Sequence, residues 1–278
     1  MVDYGEEIIG EYDMAYVSSR FRRIKEHKWM ERFVNKIEVK GLENLEMLRD
    51  QFFVGFSNHK SHFDYLGLGL LFMENLEIED FPRFVAGINL DSRLLKLMGL
   101  DFRKTGAFFV DRERIRELEK QNGTELIRYI KAIEQSARKI LERRENFFIF
   151  PEGGRNYFGK PMDKMQAGLI GTVAKVESHP FILPVAIDYD KVIESYYFNI
   201  LDCAKKTKLT RGVYYATDLA AFAARFLFRE NRGNMHVNFG KPKKLNEITN
   251  SDSSGVRKRE LTEYLRGEIV RLYRDIKK

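Results

Sequence analysis

The sequence of 278 residues lacks the features that mark several protein classes. Its one cysteine, Cys203, excludes an internal disulfide framework and a cysteine-rich metal site. No apolar run approaches the ~20 residues needed to span a bilayer. The acidic residues 1–11 lack the basic-then-apolar layout of a signal peptide. We therefore expect a cytoplasmic protein, either free or lying on a membrane surface without crossing it.

Several catalytic motifs are also missing. No Gly-x-Ser-x-Gly sequence is present, so a serine nucleophile has no support. A zinc site through His59 and His62 is disfavoured, because neither a further histidine cluster nor paired cysteines accompany them. Residues 154–160 have the glycine and lysine spacing of a phosphate-binding P-loop. However, Pro161 stands where that loop needs a serine or threonine for magnesium, which disfavours a nucleoside triphosphatase.

The composition describes an ordinary globular protein with a basic balance. Hydrophobic residues make up 44% and charged residues 32% of the chain. The net charge of +7 and the pI near 9.2 would attract phosphates, anionic lipid or nucleic acid alike. A nucleic-acid partner is disfavoured, because the basic residues are not organised with stacking aromatic residues on a recognised fold.

From residue 39 onward, short apolar runs alternate with helical patterns. This alternation predicts an α/β fold with a mostly parallel central sheet covered by helices. The predicted strands are residues 52–56, 83–88, 107–110, 146–150, 181–187 and 235–239. The predicted helices are residues 62–75, 91–98, 113–121, 123–144 and 164–177. We divide the chain into an N-terminal amphipathic helical segment (1–38), the α/β domain (39–245), and a linker with a C-terminal helix packed on it (246–278).

Two amphipathic segments could contact a membrane. Residues 12–38 combine helical apolar spacing with many basic residues and the only tryptophan, Trp29. Such a helix can lie in a membrane interface, or its basic face can be solvated while it packs against the main domain. Both interpretations remain open for this segment. For residues 211–232, a packed helix is favoured over membrane contact.

The stretch from Asn58 to Asp64 is the first candidate for chemistry. It follows a predicted buried strand and precedes an apolar helix, which is where α/β sheets place ligands. His59 could act as a general base near neutral pH, with Asp64 in the first helical turn orienting its ring. Alternatively, His59 is a surface loop residue and Asp64 a helix-start carboxylate favoured by the helix dipole.

Three further stretches follow predicted strands or lie within them. In residues 150–155, two glycines would let backbone groups approach a ligand, and Arg155 offers a planar fork for a phosphate. Arg112 ends a short buried strand and could reach the same phosphate, or form an ion pair with a neighbouring carboxylate. Residues 183–187 are predicted to line the site as a wall without supplying a reacting group.

These four stretches, in this order, resemble the glycerolipid acyltransferase family with its H-x-x-x-x-D motif. Residues 59–64 (His-Lys-Ser-His-Phe-Asp) match the first block, and residues 106–112 the second. Residues 150–155 (Phe-Pro-Glu-Gly-Gly-Arg) look like the third block, and residues 183–186 like the fourth. The resemblance spans roughly residues 39–242 and favours the catalytic interpretation of His59.

The resemblance implies a role for each matching residue. His59 would take a proton from a glycerol hydroxyl that attacks an acyl thioester, and Asp64 would orient His59. The acceptor and its phosphate would be bound by a set of four residues: Arg112, Glu152, Gly153 and Arg155. The backbone N–H of Gly153 and the side chain of Lys104 are candidates for binding the oxyanion. No metal and no cofactor are implied beyond the acyl-CoA or acyl carrier protein that donates the acyl group.

The expected function is therefore acyl transfer to a glycerol-phosphate acceptor in phospholipid biosynthesis, at an anionic membrane surface. Residues 86–90, 152–160 and 184–194 resemble the glycerol-3-phosphate and dihydroxyacetone-phosphate branch, although residues 156–158 replace its usual Ser-Arg-Thr. Residues 110–112 look more like the lysophosphatidate branch. The alternatives are a lysophosphatidate acyltransferase or a non-catalytic relative that binds lipid or phosphate.

Overall fold

The computed structural model describes residues 5–91, 96, 99–121, 123–156, 160–192 and 233–278. Its centre is an eight-stranded mixed sheet with the order β1-β7-β6-β2-β5-β3-β4, in which β8 also pairs with β6. The strands are β1 (Ile37–Lys40), β2 (Phe53–Ser57), β3 (Arg83–Gly87), β4 (Phe108–Val110), β5 (Phe147–Ile149), β6 (Phe181–Tyr189), β7 (Met235–Phe239) and β8 (Lys243–Lys244). Only the pairs β6–β7 and β6–β8 are antiparallel among these strands.

Helices cover both faces of this sheet. They are α1 (Gly5–Ile8), α2 (Met14–Glu26), α3 (Leu42–Glu46), α4 (Asp64–Asn75), α5 (Arg112–Lys120), α6 (Thr124–Glu142), α7 (Ala167–Val173), α8 (Leu245–Ile248) and α9 (Ser254–Ile276). The architecture confirms the predicted α/β class. In the part of the chain described above, no helix is both long and apolar enough to span a membrane.

The side chains of β2 explain why the core has two halves. Successive residues of a strand point to opposite faces. Phe53 therefore joins the cluster under α2 and α4, while Val54 and Phe56 join the cluster under α6, α7 and α9. Every residue of β2 is buried, as expected for a central strand of a helix-covered sheet. Because β2 is central, its carboxyl end opens at the middle of one edge of the sheet.

The predicted strands all exist, with ends shifted by at most two residues, and the helices over residues 62–75, 113–121, 123–144 and 164–177 are also present. In α6, helical spacing predicts one buried apolar stripe made of Leu126, Ile130, Ile133, Ile140 and Leu141. This stripe is partly wrong, because Ile130 is exposed and the aromatic Tyr129 is buried. Outside the described residues lie Cys203, the whole predicted segment 211–232 and most of the predicted helix 91–98.

The N-terminal segment differs most from its prediction. Helix continues only to Glu26, followed by a short 3-10 turn at Trp29–Arg32 and by strand β1. The apolar face of α2 is buried, with Val17, Phe21 and Ile24 in the core beside α4. This packing follows the second of the two interpretations, in which the helix lies against the main domain. Its exposed face carries the basic side chains.

Residues before α2 also close the edge of the sheet. Ile9 and Tyr12 form antiparallel bridges with Phe108 and Thr105, which covers the outer strand β4. Arg83 fixes this arrangement, since its guanidinium donates to the carbonyls of Gly10 and Gly106 at 2.9 and 3.0 Å. The N-terminal residues are thus part of the α/β structure.

Candidate active site

His59 and Asp64 meet at the carboxyl end of β2. The Nδ1 atom of His59 lies 2.8 Å from Oδ2 of Asp64, and both side chains are buried. Their separation of five residues is bridged because His59 lies in the loop and Asp64 is the first residue of α4. The same Oδ2 accepts the backbone N–H groups of Lys60 (2.7 Å) and Ser61 (3.0 Å). The predicted pairing is therefore present, and the carboxylate is fixed by its own loop.

The loop itself is anchored to the neighbouring strand by Asn58. Its side-chain amide donates to the carbonyl of Ile187 and accepts the N–H of the same residue, each at 2.8 Å. These two bonds continue the pairing of β2 with β6 by one step after β2 has ended. Because buried backbone groups need partners, Asn58 fixes where the loop leaves the sheet.

The surroundings of His59 keep its ring neutral near pH 7. Burial lowers the pKa of His59 below its ordinary value of 6.5, against the opposing effect of Asp64. The positive charge of Arg155 lowers it further. The imidazole ring packs on Phe150, with centroids 4.5 Å apart, and meets Tyr65 edge-on at 5.4 Å. When Nδ1–H donates to Asp64, Nε2 is the nitrogen that can accept a proton from a hydroxyl.

Glu152 has a structural role in addition to the acceptor binding that the resemblance implies. Its Oε2 accepts the backbone N–H of His59 (2.7 Å), and its Oε1 accepts the side chain of Asn156 (3.0 Å) and the N–H of Met162 (3.1 Å). Burial raises the pKa of Glu152, and these three donors act in the opposite direction. The carboxylate therefore ties the residue 150–156 loop to the His59 loop. Binding of an acceptor by Glu152 stays a prediction.

Gly153 is required for the shape of its loop. Its φ of +68° lies in the left-handed region, and a β-carbon there would come 2.6 Å from Cγ of Gln166. Its N–H donates to the carbonyl of Phe150 at 3.1 Å, so this structure does not offer that group as an oxyanion donor. Lys104 is exposed, with its ammonium 5.6 Å from the centroid of the Tyr16 ring on α2. An oxyanion role for Lys104 remains a prediction.

The two predicted phosphate-binding arginines converge on this site. Arg112 is the first residue of α5, and Asp111 fixes that helix start by accepting the N–H groups of Glu113 and Arg114 at 3.0 Å. One guanidinium nitrogen of Arg112 lies 3.6 Å from where a side chain at Gly154 would begin. The charges of Arg112 and Arg155 both act on Tyr65, beside His59. Two cationic groups thus face one end of the sheet near the histidine.

Two buried side chains near His59 were missed by sequence reasoning. Tyr189, at the end of β6, donates its hydroxyl to Oδ1 of Asp64 at 2.6 Å. Lys60 is buried, with its ammonium 5.1 Å from the centroid of the Tyr273 ring on α9. Burial lowers the pKa of Lys60. No local pattern could reveal either contact, because each joins residues more than a hundred positions apart in the chain.

A small apolar cavity lies beside Tyr65. Its walls come from α2, α4, the start of β3 and residues 100–105. The lining side chains include Tyr16, Phe21, Ile24, Leu66, Phe84 and Phe102. Tyr65 belongs to this lining and also contacts the His59 ring, so the cavity and the histidine share one aromatic neighbour. The site therefore combines a proton acceptor, two arginines and an apolar cavity.

Known proteins are similar to this chain in sequence. Residues 36–188, just over half of the chain, match the family model described as Acyltransferase. A protein of Colwellia psychrerythraea called glycerol-3-phosphate acyltransferase is 29% identical over 252 residues, or 88% of this chain and 28% of the relative. One of Pseudomonas fluorescens with the same name is 28% identical over 265 residues, or 93% and 29%. The chain thus spans less than a third of the length of these relatives.

The fold is shared with a solved structure. The 1-acyl-sn-glycerophosphate (LPA) acyltransferase, PlsC, from Thermotoga maritima superposes with a TM-score of 0.55. The alignment covers 95% of this chain and 81% of that protein, at 16% sequence identity. At this identity the likeness concerns the fold alone.

Proposed function

The chain belongs to the acyltransferase family, and from this premise we propose that it transfers a fatty acyl group from an acyl thioester to a hydroxyl of glycerol 3-phosphate. The observation that carries the proposal is the buried His59–Asp64 pair, placed at a strand end beside two arginines. The names of the relatives support glycerol 3-phosphate as the acceptor.

The proposed reaction follows from the states of these groups. Neutral His59 accepts the proton of the acceptor hydroxyl at Nε2 as the oxygen attacks the thioester carbonyl. Asp64 stabilises the imidazolium that forms, and the tetrahedral intermediate then expels the thiolate, which takes the proton back from His59. Arg112 and Arg155 hold the phosphate of the acceptor, because guanidinium groups match phosphate oxygens in a two-point contact.

The apolar cavity supports an acyl thioester as the donor. A fatty chain gains free energy when its surface leaves water, at about 25 cal/mol per Å². The cavity itself has a volume of only about 40 Å³, so α2 and α4 would have to move apart to seat such a chain beside Tyr65. Acyl-CoA and acyl carrier protein both present such a chain, and each is a donor within the proposal. No metal or cofactor takes part in the proposed steps.

We propose that the protein works at an anionic membrane surface on the cytoplasmic side. The support is the exposed basic side chains of Arg22, Arg23 and Lys25 on α2 and of Lys28 just after it. Since the apolar face of this helix is buried, the contact would be electrostatic and weakened by salt.

The test is an acyl-transfer assay of purified protein with acyl-CoA or acyl carrier protein and a pool of acceptors. We expect ester formation with glycerol 3-phosphate, and a loss on the order of 10²–10⁴ in rate for His59→Ala. His27→Ala is the matched control, because that histidine is exposed at the end of α2. Absence of product with every phosphate-bearing acceptor, or full activity in His59→Ala, would refute the proposal.

The second candidate is acyl transfer to 1-acylglycerol 3-phosphate. The sequence at the start of α5 looks like the lysophosphatidate branch. Val110 ends β4, Asp111 caps α5 and Arg112 is the first residue of that helix. The same acceptor pool decides between the two, because the masses of the products differ by one acyl chain.

A further inference from the structure

Tyr189 is the buried tyrosine that reaches Asp64 from another element of the fold. Its hydroxyl lies 2.6 Å from Oδ1, and both residues are almost fully buried. The other carboxylate oxygen, Oδ2, already accepts N–H groups from His59, Lys60 and Ser61. The two oxygens are therefore held by different elements, Oδ2 by the loop and Oδ1 by strand β6.

The position of Tyr189 is fixed by the neighbouring strand β7. It pairs with Met235 in the antiparallel register of β6 and β7. The next residue, Asp190, donates its N–H to the carbonyl of Asn234 (3.1 Å) and accepts the N–H of Asn234 at Oδ2 (2.8 Å). Its other oxygen lies 2.6 Å from Nε2 of His236. The end of β6 is thus braced at the point where Tyr189 leaves it.

We propose that Tyr189 is a positioning residue of the active site: its hydroxyl holds the Asp64 carboxylate in the orientation that presents Oδ2 to Nδ1 of His59. The effect on rate rests on the proposed acyl transfer. The effect on the state of His59 rests on the geometry alone.

Two consequences follow from this contact. Without the hydroxyl, Oδ1 loses its donor in a site closed to bulk water, so the carboxylate can rotate away from His59. Since the pairing with Asp64 raises the pKa of His59, a carboxylate that has turned away leaves this pKa lower. Tyr189→Phe should therefore slow the reaction and lower the pKa of His59. Arg155 and His62 are the other charged or titratable groups acting on His59, and neither changes in the variant.

The experiment compares Tyr189→Phe with a matched variant, Tyr273→Phe. Tyr273 also donates to a buried aspartate, since its hydroxyl lies 3.0 Å from Oδ1 of Asp188, the neighbour of Tyr189 on β6. Titration of the ring nitrogens of the five histidines by nitrogen-15 NMR gives the pKa of His59 in each protein, with His59→Gln identifying its signal. Steady-state kinetics give kcat and KM. A ring-fluorinated tyrosine at position 189, which is a stronger donor, supplies a second perturbation that leaves the packing almost intact.

We expect Tyr189→Phe to lower the pKa of His59 and to lower kcat by roughly 10-fold to 100-fold, as for a lost hydrogen bond to a buried charge. KM should change much less, and Tyr273→Phe should change neither the pKa of His59 nor kcat. The fluorinated protein, which keeps the hydroxyl donor, should keep both close to wild type. In an Asp64→Asn background, Tyr189→Phe should have little further effect.

A His59 titration in Tyr189→Phe that matches wild type, or that moves up, would overturn the inference. If Tyr189→Phe does not fold, a loss of kcat in the fluorinated protein as large as the one expected for Tyr189→Phe would overturn it, because that protein keeps the donor. A lowered His59 pKa in a Tyr189→Phe protein from an enzyme without transfer activity would refute the proposed function and leave the positioning role standing. An unmoved titration in an active Tyr189→Phe enzyme would refute the positioning role alone.

Discussion

Replacing Asp64 with asparagine tests how much of the chemistry depends on its charge. The geometry of the site decides which way the new amide would face. Two backbone N–H groups, from Lys60 and Ser61, point at the position of Oδ2 and require an acceptor there. The amide oxygen of Asp64→Asn should occupy that position and still accept Nδ1–H of His59. Its NH₂ group would face the Tyr189 hydroxyl, which can turn and accept.

This arrangement predicts a moderate loss of rate. Because the tautomer of His59 is preserved, the variant loses only the charge that stabilises the imidazolium. Two unit charges about 4 Å apart attract by roughly 4 kcal/mol at an effective dielectric constant of about 20. The amide dipole keeps part of this attraction, which leaves a loss of about 2–3 kcal/mol. At about 1.4 kcal/mol per tenfold, kcat/KM should fall roughly 30-fold to 150-fold.

The pH dependence of Asp64→Asn provides an independent test, because the direction of the shift can be predicted. Asp64 raises the pKa of His59 against the lowering effect of burial. Removing the charge should therefore lower this pKa further, and the acid limb of kcat/KM should move to lower pH. The assay is initial-rate acyl transfer between pH 5 and 8, with thermal melting as a check on folding. Glu38→Gln is the matched control, because it removes a carboxylate from a histidine pair outside the site, with Nδ1 of His236 at 3.0 Å.

Two results would refute this reasoning. Activity within about threefold of wild type would mean that Asp64 does not support a charged His59. A loss near 10⁴ in a folded protein would mean that the amide turns its NH₂ group toward His59 and imposes the wrong tautomer. The first outcome contradicts the role of the pair, and the second contradicts the fixed orientation of the carboxylate.

Four further predictions concern other parts of the site. Gly153→Ala should destabilise the protein by about 1–3 kcal/mol in thermal unfolding and should lower kcat. The reason is that the φ of +68° at Gly153 and the contact with Gln166 leave no room for a β-carbon. An unchanged melting temperature would contradict this prediction. Each of the variants Arg155→Lys and Arg112→Lys should raise KM for glycerol 3-phosphate about tenfold or more and should change KM for the acyl donor little. The reason is that an ammonium group cannot make the two-point contact with a phosphate. An equal change of KM for both substrates would contradict phosphate binding. The folded pKa of His59 lies below its ordinary value of 6.5, so the acid limb of kcat/KM should lie below pH 6.5. As pH drops below 6.5, the unfolded state binds the proton before the folded state does, so the free energy of unfolding should fall. His59→Gln should remove this pH dependence of stability. The double change Arg22→Glu and Arg23→Glu should weaken flotation with anionic liposomes at low salt while preserving the melting temperature; undiminished flotation would show that this face of α2 is not the contact.

The sequence predicts the strands well because each is a short run of apolar residues with turn residues around it. Phe147, Phe148 and Ile149 cannot alternate with polar residues in a strand covered on both faces, and the structure buries all three. The N-terminal region was harder to predict, because helical spacing at Val17, Phe21 and Ile24 says nothing about where helix ends. Strand β1 exists because it pairs with β7, almost two hundred residues away.

The buried face of α2 also changes how membrane contact must be tested. Removing residues 1–38 would delete Val17, Phe21 and Ile24 from the core, together with the residues that cover β4. Loss of several buried side chains at about 2–5 kcal/mol each exceeds the stability of a typical domain. A truncated protein that failed to bind liposomes would report unfolding, whereas charge reversal on the exposed face leaves the core intact.

The candidate site could be predicted only where its residues are close in the chain. His59 and Asp64 are only five positions apart. Because Asp64 is the first residue of α4 and His59 lies in the loop before it, their contact could be predicted from the sequence. The bond from Tyr189 to Asp64 crosses 125 positions and depends on the register of β6 against β2. The sequence marks residues 183–187 as a wall of the site, but the strand continues to Tyr189 and contributes a hydroxyl. The tertiary pairing determines this contact, and no local pattern encodes it.

The proposed proton-transfer groups and the proposed phosphate-binding groups come from different parts of the fold. His59 and Asp64 lie in one loop after β2 and are braced by β6, whereas Arg112 follows β4 and Arg155 follows β5. The link between the two parts is Glu152, whose carboxylate holds the His59 backbone and the residue 150–156 loop together. Asn156, which stands where the resembled branch usually has serine, belongs to this link, since its backbone N–H donates to the carbonyl of His59 at 2.7 Å. Such a division predicts that the acceptor varies among related chains more readily than the reaction does, because the acceptor depends on the arginine loops and the reaction on the His59 loop.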